Sequence, residues 1–282
     1  MLKTKVKVCA KLNLSLDVVG SQDGYHQLET LVCSINLCDK ITVKESKEKG
    51  VTLKEKGIKS GASEKGNNAY KTAEKYLLNN NEKGLDIIIK KDIFVGGGLG
   101  GSSADIAGVC KCLIKMGKLS QEEGKALADS MGSDSGYMLN GGFALLKGRG
   151  DKVYPLKVDK RLYFLLIKSN AKLLAKEVFA QFDSVNKKNK PCSKIAVEKL
   201  QTDDYIGFCN TIKNDLQKAS QTFSPEIEIA CELLKSVGAN ASLMTGSGPT
   251  VFGVFENKKQ RDKAFKRLKK RLGKNVVKAH SV

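Results

Sequence analysis

Histidine is scarce in this chain and tryptophan is absent. Among 282 residues only His26 and His280 are histidines, which excludes a histidine-rich metal site. Aromatic residues make up 6% of the sequence, too few to build the stacking platforms that hold single-stranded nucleic acid. That weighs against a nucleic-acid-binding module, the class raised by the formal net charge of +19. The eight cysteines, at positions 9, 33, 38, 110, 112, 192, 209 and 231, form no CxxC pair. Most fall inside apolar strand or helix patterns, so they read as buried free thiols rather than zinc ligands or disulfides. No apolar run approaches the ~18 residues needed to cross a bilayer. The start, Met1-Leu2-Lys3-Thr4-Lys5-Val6-Lys7, lacks the apolar core of a signal peptide. The expectation is a soluble cytoplasmic protein with no membrane and no nucleic-acid partner. No fixed-period repeat or low-complexity segment is visible.

What is present is ample hydrophobic residue content, 41% of the chain, enough for one large domain or two ordinary ones. The basic excess is mostly lysine and is densest over Lys258–Lys274. There Phe265, Leu268 and Leu272 recur at helical spacing, which predicts an amphipathic helix with a basic outer face. Strict alternation from Val6 to Leu16 predicts a first strand, with Lys7, Lys11 and Asn13 on its polar face. Ser21-Gln22-Asp23-Gly24 breaks it as a turn, and Leu31 to Leu37 resumes the alternation. Further strands are expected over 41–44, 51–53, 85–89, 141–146, 163–167, 242–244 and 251–255. Helices are expected over 68–78, 106–116, 120–131, 171–182, 194–200, 204–213 and 225–237. Strands and helices intermix in both halves, so the class is α+β, with a soft boundary near Pro155.

The most informative stretch is Val95-Gly96-Gly97-Gly98-Leu99-Gly100-Gly101-Ser102-Ser103, between a strand and a helix. A glycine-rich turn opening a helix leaves backbone N–H groups free beside the positive end of the helix dipole, which suits a phosphate. A literal GxGxxG lies at Gly96, Gly98 and Gly101, but it follows an alternating sheet instead of opening a βαβ unit, so a dehydrogenase-type dinucleotide fold is disfavoured. No Lys-Ser/Thr follows the glycines, which removes a P-loop. The plain alternative is a glycine hinge with a serine N-cap. Lys11 and Asn13 are either solvated strand residues or groups that hold a hydroxyl and its developing charge. Tyr25 and His26 offer a stacking face and a ring nitrogen, as a nucleobase requires. Asp134, after a helix stop at Gly132, is either a helix-start residue or a general base. Thr245-Gly246-Ser247-Gly248 forms a second small-residue turn.

Taken together these residues resemble the GHMP kinases, the superfamily of galactokinase, homoserine kinase and mevalonate kinase. That family's central loop reads like Gly98-Leu99-Gly100-Gly101-Ser102-Ser103-Ala104. Ala10-Lys11-Leu12-Asn13-Leu14, Asp23-Gly24-Tyr25-His26, Gly132-Ser133-Asp134, Asn214-Asp215-Leu216 and Met244 to Gly248 follow in the family's order along nearly the whole chain. The resemblance implies a two-domain kinase. Residues 1–155 would form an ATP-binding domain like ribosomal protein S5 domain 2. Residues 156–282 would form a ferredoxin-like domain, with the active site in the cleft. ATP and Mg²⁺ are the implied cofactors, with the phosphates on Val95 to Ser103 and no metal ligand assigned. Asp134 is implied as catalytic base and Lys11 as its charged partner. Tyr25 and His26 are implied to hold a cytosine, with Asn13 nearby and Phe179 as the candidate second aromatic. Thr245, Gly246, Ser247 and Gly248 would support the diphosphate of a cytidine-diphosphate-linked small alcohol. The oligomeric expectation is a monomer or weak homodimer. The alternative within the family is a homoserine- or mevalonate-type kinase.

Overall fold

Alternation becomes structure in the first strand, β1 (Lys3–Asn13), where Val6, Val8, Ala10 and Leu12 are buried. Its polar face is not simply solvated: Lys11 is 6% and Asn13 2% exposed. The computed structural model describes residues 1–169, 171–185 and 190–282. After β1 come β2 (Asp17–Gln22), β3 (Tyr25–Ser46) and β4 (Gly50–Gly57). Helix α1 (Asn68–Asn80), β5 (Gly84–Lys91) and helices α2 (Gly101–Lys115), α3 (Gln121–Met131) and α4 (Ser135–Asn140) follow. Then come β6 (Phe143–Gly148), β7 (Lys152–Leu156) and β8 (Tyr163–Ile167). Five helices succeed them: α5 (Ala175–Val185), α6 (Ser193–Gln201), α7 (Tyr205–Thr211), α8 (Gln217–Phe223) and α9 (Glu226–Ser236). The chain closes with β9 (Ala241–Met244), β10 (Val251–Phe255), α10 (Lys258–Leu272) and β11 (Val276–His280).

Two compact units result. The first gathers Met1–Ala10, Leu37–Val95 and Gly100–Gly141; the second gathers Lys11–Asn36, Gly96–Leu99 and Gly142–Val282. In the first, β5 pairs in parallel with β4 and antiparallel with the Lys40–Ser46 part of β3. The parallel pair is joined through α1, the crossover such a pair needs. Ser120 and Glu123 form the capping box of α3. Ile106, Cys110 and Ala128 make a small core between α2 and α3. In the second unit, β3 pairs with β6 over Leu28–Cys33, β6 pairs with β7, and β2 folds back on the start of β3. A four-stranded antiparallel sheet has the order β11-β8-β10-β9. Helices α9 and α10 bury Ile227, Leu234, Ala264 and Leu268 with Leu165 and Phe255 of this sheet. The apolar stripe of α10 is therefore core, its lysines are exposed, and Arg261 is buried beside the stripe with Nη1 donating to Ala279 O at 2.8 Å.

The expectation that every cysteine is a free thiol is corrected. Cys9 on β1 and Cys38 on β3 form a disulfide, with Cα atoms 3.9 Å apart. The other six cysteines are free and buried. The two partners lie 29 residues apart and meet only because β1 and β3 are sheet neighbours, which local spacing does not reveal.

A buried charge cluster anchors the exit from β5 in the first unit. Lys91 is 3% exposed, and its Nζ donates to Asp39 Oδ2 at 2.8 Å and Asp105 Oδ2 at 2.6 Å. Asp39 Oδ1 accepts the N–H groups of Asp92 and Ile93 at 2.6 and 2.8 Å, so the first residues after the strand are tied to the same carboxylate. Two carboxylates share one ammonium in a dry site, and Asp105 Oδ1 is buried with no hydrogen-bond partner. Burial pushes the Asp105 carboxyl up to about 7, against the pull of Lys91. Raised above its ordinary value of 3.8, this group contributes stability that is full below about pH 4 and is lost as pH rises through about 7. Asp105→Asn should therefore gain on the wild type as pH rises. In urea melts at about pH 5 and about pH 8, the difference in unfolding free energy should move in the variant's favour at the higher pH. An unchanged difference contradicts the assignment.

Candidate active site

The glycine stretch after β5 turns sharply before it becomes α2. Gly96, Gly98 and Gly100 all have positive φ, at 64°, 74° and 72°, a conformation that favours glycine. Gly100 is the N-cap residue of α2 and supplies no side-chain cap, so the first-turn N–H groups of the helix have no capping side chain to accept them. Helix α2 begins at Gly101, five residues before the apolar periodicity that starts at Ile106, and therefore includes Ser102 and Ser103 in its first turn. In the first unit Asn68 Nδ2 donates to Ser102 Oγ, and Lys91 Nζ reaches the Gly101 carbonyl at 3.4 Å.

In the second unit, segments far apart in sequence lock together through backbone. Lys11 N–H donates to Leu99 O at 3.0 Å. Asn13 N–H donates to Thr245 Oγ1 at 2.9 Å, and Thr245 Oγ1 lies 3.5 Å from Gly98 O. A Cβ on Gly98 would stand 2.3 Å from Thr245 O and 3.2 Å from Gly248 O, so only glycine permits this approach. Lys11 Nζ donates to Asn13 Oδ1 at 3.1 Å, and Asn13 Nδ2 donates to Thr30 Oγ1 at 2.8 Å. The Lys11–Asn13 pair is thus oriented by a buried network rather than spread over a solvated face. Asn214 holds the second small-residue turn: its Nδ2 donates to Met244 O and Gly246 O, both at 2.8 Å, and its Oδ1 accepts from Leu216 N–H at 2.9 Å.

Asp134 belongs to the first unit. It is half-buried at the N-cap of the six-residue α4 and makes no capping hydrogen bond. Its turn lies against the start of α2, because a Cβ on Gly132 would be 2.9 Å from Ser135 Oγ and 3.7 Å from Ser103 Oγ.

The aromatic pair found by sequence lines a groove of about 570 Å³ in the second unit. His26 stacks on Phe179 of α5, with ring centres 4.6 Å apart and planes 21° from parallel. His26 Nε2 lies 2.8 Å from Asp183 Oδ1. The Arg149 guanidinium covers the Tyr25 ring, 3.9 Å from its centre, and Lys176 also lines the groove.

Two family descriptions match this chain: "GHMP kinases N terminal domain" over residues 67–146 and "GHMP kinases C terminal" over residues 196–274. A 4-diphosphocytidyl-2-C-methyl-D-erythritol kinase from Thermoanaerobacter pseudethanolicus is 36% identical over 276 residues, which is 95% of this chain and 93% of the relative. The chain belongs to the GHMP kinases. A relative of the same name from Bacillus cytotoxicus is 32% identical over 275 residues, with the same coverage. The crystal structure of a 4-(cytidine 5'-diphospho)-2C-methyl-D-erythritol kinase superposes with a TM-score of 0.83, at 25% identity, covering 99% of this chain and 100% of that one. Homoserine kinase from Cytophaga hutchinsonii shares the fold, with a TM-score of 0.74 at 20% identity, covering 99% of this chain and 94% of that one. The α+β, two-domain kinase fold expected from the motifs is the fold found.

For this GHMP kinase the structure brings Lys11, Asn13, Gly98, Leu99 and the 245–248 turn together in one unit, and Ser103 beside the Asp134 turn in the other. Tyr25 and His26 line the groove with Phe179 in the second unit. Sequence reasoning missed Asp183, Arg149 and the Lys91–Asp39–Asp105 cluster. Asp183 stands four residues after Phe179, one helical turn on, which is the only local signal it carries. Removing the side chain of Asn214 should cost on the order of 2–3 kcal/mol, because two carbonyls and one N–H lose a buried partner. Chemical denaturation of Asn214→Ala checks this; a loss below about 0.5 kcal/mol, the range of ordinary surface substitutions, contradicts it.

Proposed function

We propose that this GHMP kinase transfers the γ-phosphoryl group of ATP to the 2-hydroxyl of 4-diphosphocytidyl-2-C-methyl-D-erythritol, a step of isoprenoid precursor synthesis in the cytoplasm. The observation that carries the reading is 36% identity along 95% of the chain to a relative of that name. The groove with Tyr25, His26 and Phe179 supports it, because a nucleoside base needs aromatic faces and a ring nitrogen. ATP-dependent phosphoryl transfer is the chemistry of the family.

Each residue then has a role its surroundings suit. The positive-φ glycines and the uncapped start of α2 receive the phosphates. Asp134, half-buried at the start of α4, accepts the proton of the acceptor hydroxyl as its oxygen attacks phosphorus and the bond to the β-phosphate oxygen breaks. Lys11, aimed by Asn13, stabilises charge on the attacking oxygen. His26 and Tyr25 hold the cytosine, and the turn pinned by Asn214 supports the acceptor's diphosphate. Among the described residues no three His, Cys, Asp or Glu side chains cluster as a metal site. Mg²⁺ would be held beside the nucleotide phosphates by the hydroxyl oxygens of Ser102 and Ser103, in the first turn of α2. Bound, it neutralises phosphate charge; most of the catalysis is position and field. We further assign residues 1–155 to the nucleotide-binding domain and 156–282 to the C-terminal domain.

Labelled ATP offered with the diphosphocytidyl alcohol, homoserine, mevalonate and galactose should label only the first. Label on another acceptor overturns the substrate assignment. Asp134→Asn should lower turnover on the order of 10²–10⁴-fold, the usual contribution of a general base, and near-normal turnover removes its role.

A further inference from the structure

The His26 side chain is held from two directions by one helix. Phe179 and Asp183 are one turn apart on α5, and both meet the imidazole: Phe179 by a stack with planes 21° apart, Asp183 by a 2.8 Å contact to Nε2. The stack sets the plane of the ring, and the carboxylate sets its rotation within that plane. At its base the residue is paired in the β2–β3 hairpin, opposite Ser21. The Asp183 side chain is 58% exposed and that of His26 22%. A pair this open contributes little to stability, so its consequence lies in how the ring is presented.

The chemistry of the contact assigns the proton. An ionised carboxylate only accepts, so Nε2 must donate; in the neutral imidazole the other nitrogen, Nδ1, is then an acceptor. Cytosine and uracil differ at position 4. Cytosine carries an amino donor there, and uracil a carbonyl acceptor, as thymine does. An acceptor nitrogen held at a fixed angle complements the first and opposes the second.

We infer that Asp183 is a specificity-determining positioning residue. By accepting the Nε2 proton it presents His26 Nδ1 as the acceptor that selects a cytosine over a uracil nucleotide in the Tyr25–Phe179 groove. This rests on the cytidine reading above and goes beyond it, because it names the residue and the proton arrangement that make the choice of base. Asp183 itself touches His26 and acts through it.

Binding of CMP and UMP to the intact protein, measured by calorimetry at about pH 8, tests this without catalysis. The wild type should prefer CMP by about 10-fold or more, on the scale of one well-placed hydrogen bond. Asp183→Ala should cut that ratio about 5-fold, chiefly by weakening CMP, while Asp183→Glu recovers part of it. A wild-type ratio in Asp183→Ala overturns the inference and leaves the cytidine reading standing. A wild type without preference between the two nucleotides sinks both. Loss of CMP binding in Asp183→Ala that Asp183→Glu does not recover marks a merely structural role and also overturns it. The chain has only two histidines, so proton–nitrogen correlation spectra give a direct second readout. His26 should show a protonated Nε2 and an unprotonated Nδ1; the reverse arrangement contradicts the assignment.

Discussion

The close approach of Gly98 to Thr245 is the constraint on which the site depends. It lets two turns made almost entirely of small residues touch through backbone, and the start of β1's buried end is hydrogen-bonded to both. Closing loops of this length has an entropic cost. The buried side chains of Leu99 and Met244 and hydrogen bonds of Asn13, Asn214 and Thr245 offset it: the Thr245 hydroxyl accepts the Asn13 N–H, and Asn214 donates to two carbonyls of the second turn. Phosphoryl transfer needs this kind of rigidity, because the protein's contribution is mostly placement.

The first unit solves a related problem with charge. Lys91 ends β5 and carries both Asp39 and Asp105, and Asp39 in turn holds the next two backbone N–H groups. The strand exit and the body of α2 are thereby referenced to one ammonium. Such a cluster is a weak source of stability, since desolvation offsets much of the attraction. Its use is geometric: it fixes where the glycine stretch begins. The unpartnered oxygen of Asp105 is the cost of placing two acids around one base.

How much of this could be read from the residues follows from the range of each signal. The alternation of β1, the capping box at Ser120 and the stripe of α10 are local patterns, and each emerged where expected. The glycine stretch was recognisable because its chemistry is contained in nine consecutive residues. The six residues of α4 give too few turns for a period to show. Lys11 could be either a solvated lysine or an oriented one until its neighbours from residues 13 and 99 were known. Cys9 and Cys38, Lys91 with Asp39 and Asp105, and His26 with Asp183 all meet across 14 to 157 residues. Nothing in composition or spacing announces such meetings; the order of motifs shared with the GHMP kinases announced the fold but not these pairs.

The account is tested most directly by one added methyl group. Gly98→Ala introduces a Cβ where φ is +74° and Thr245 O would be 2.3 Å away, and every side chain with a proposed chemical role is left in place. Steady-state turnover of this variant, with its fold checked by circular dichroism, should show kcat/KM for ATP lower by about 100-fold, the scale of a displacement near 1 Å in a positioned site. A folded Gly98→Ala protein within about twofold of the wild type would show that the backbone junction does not position the phosphates.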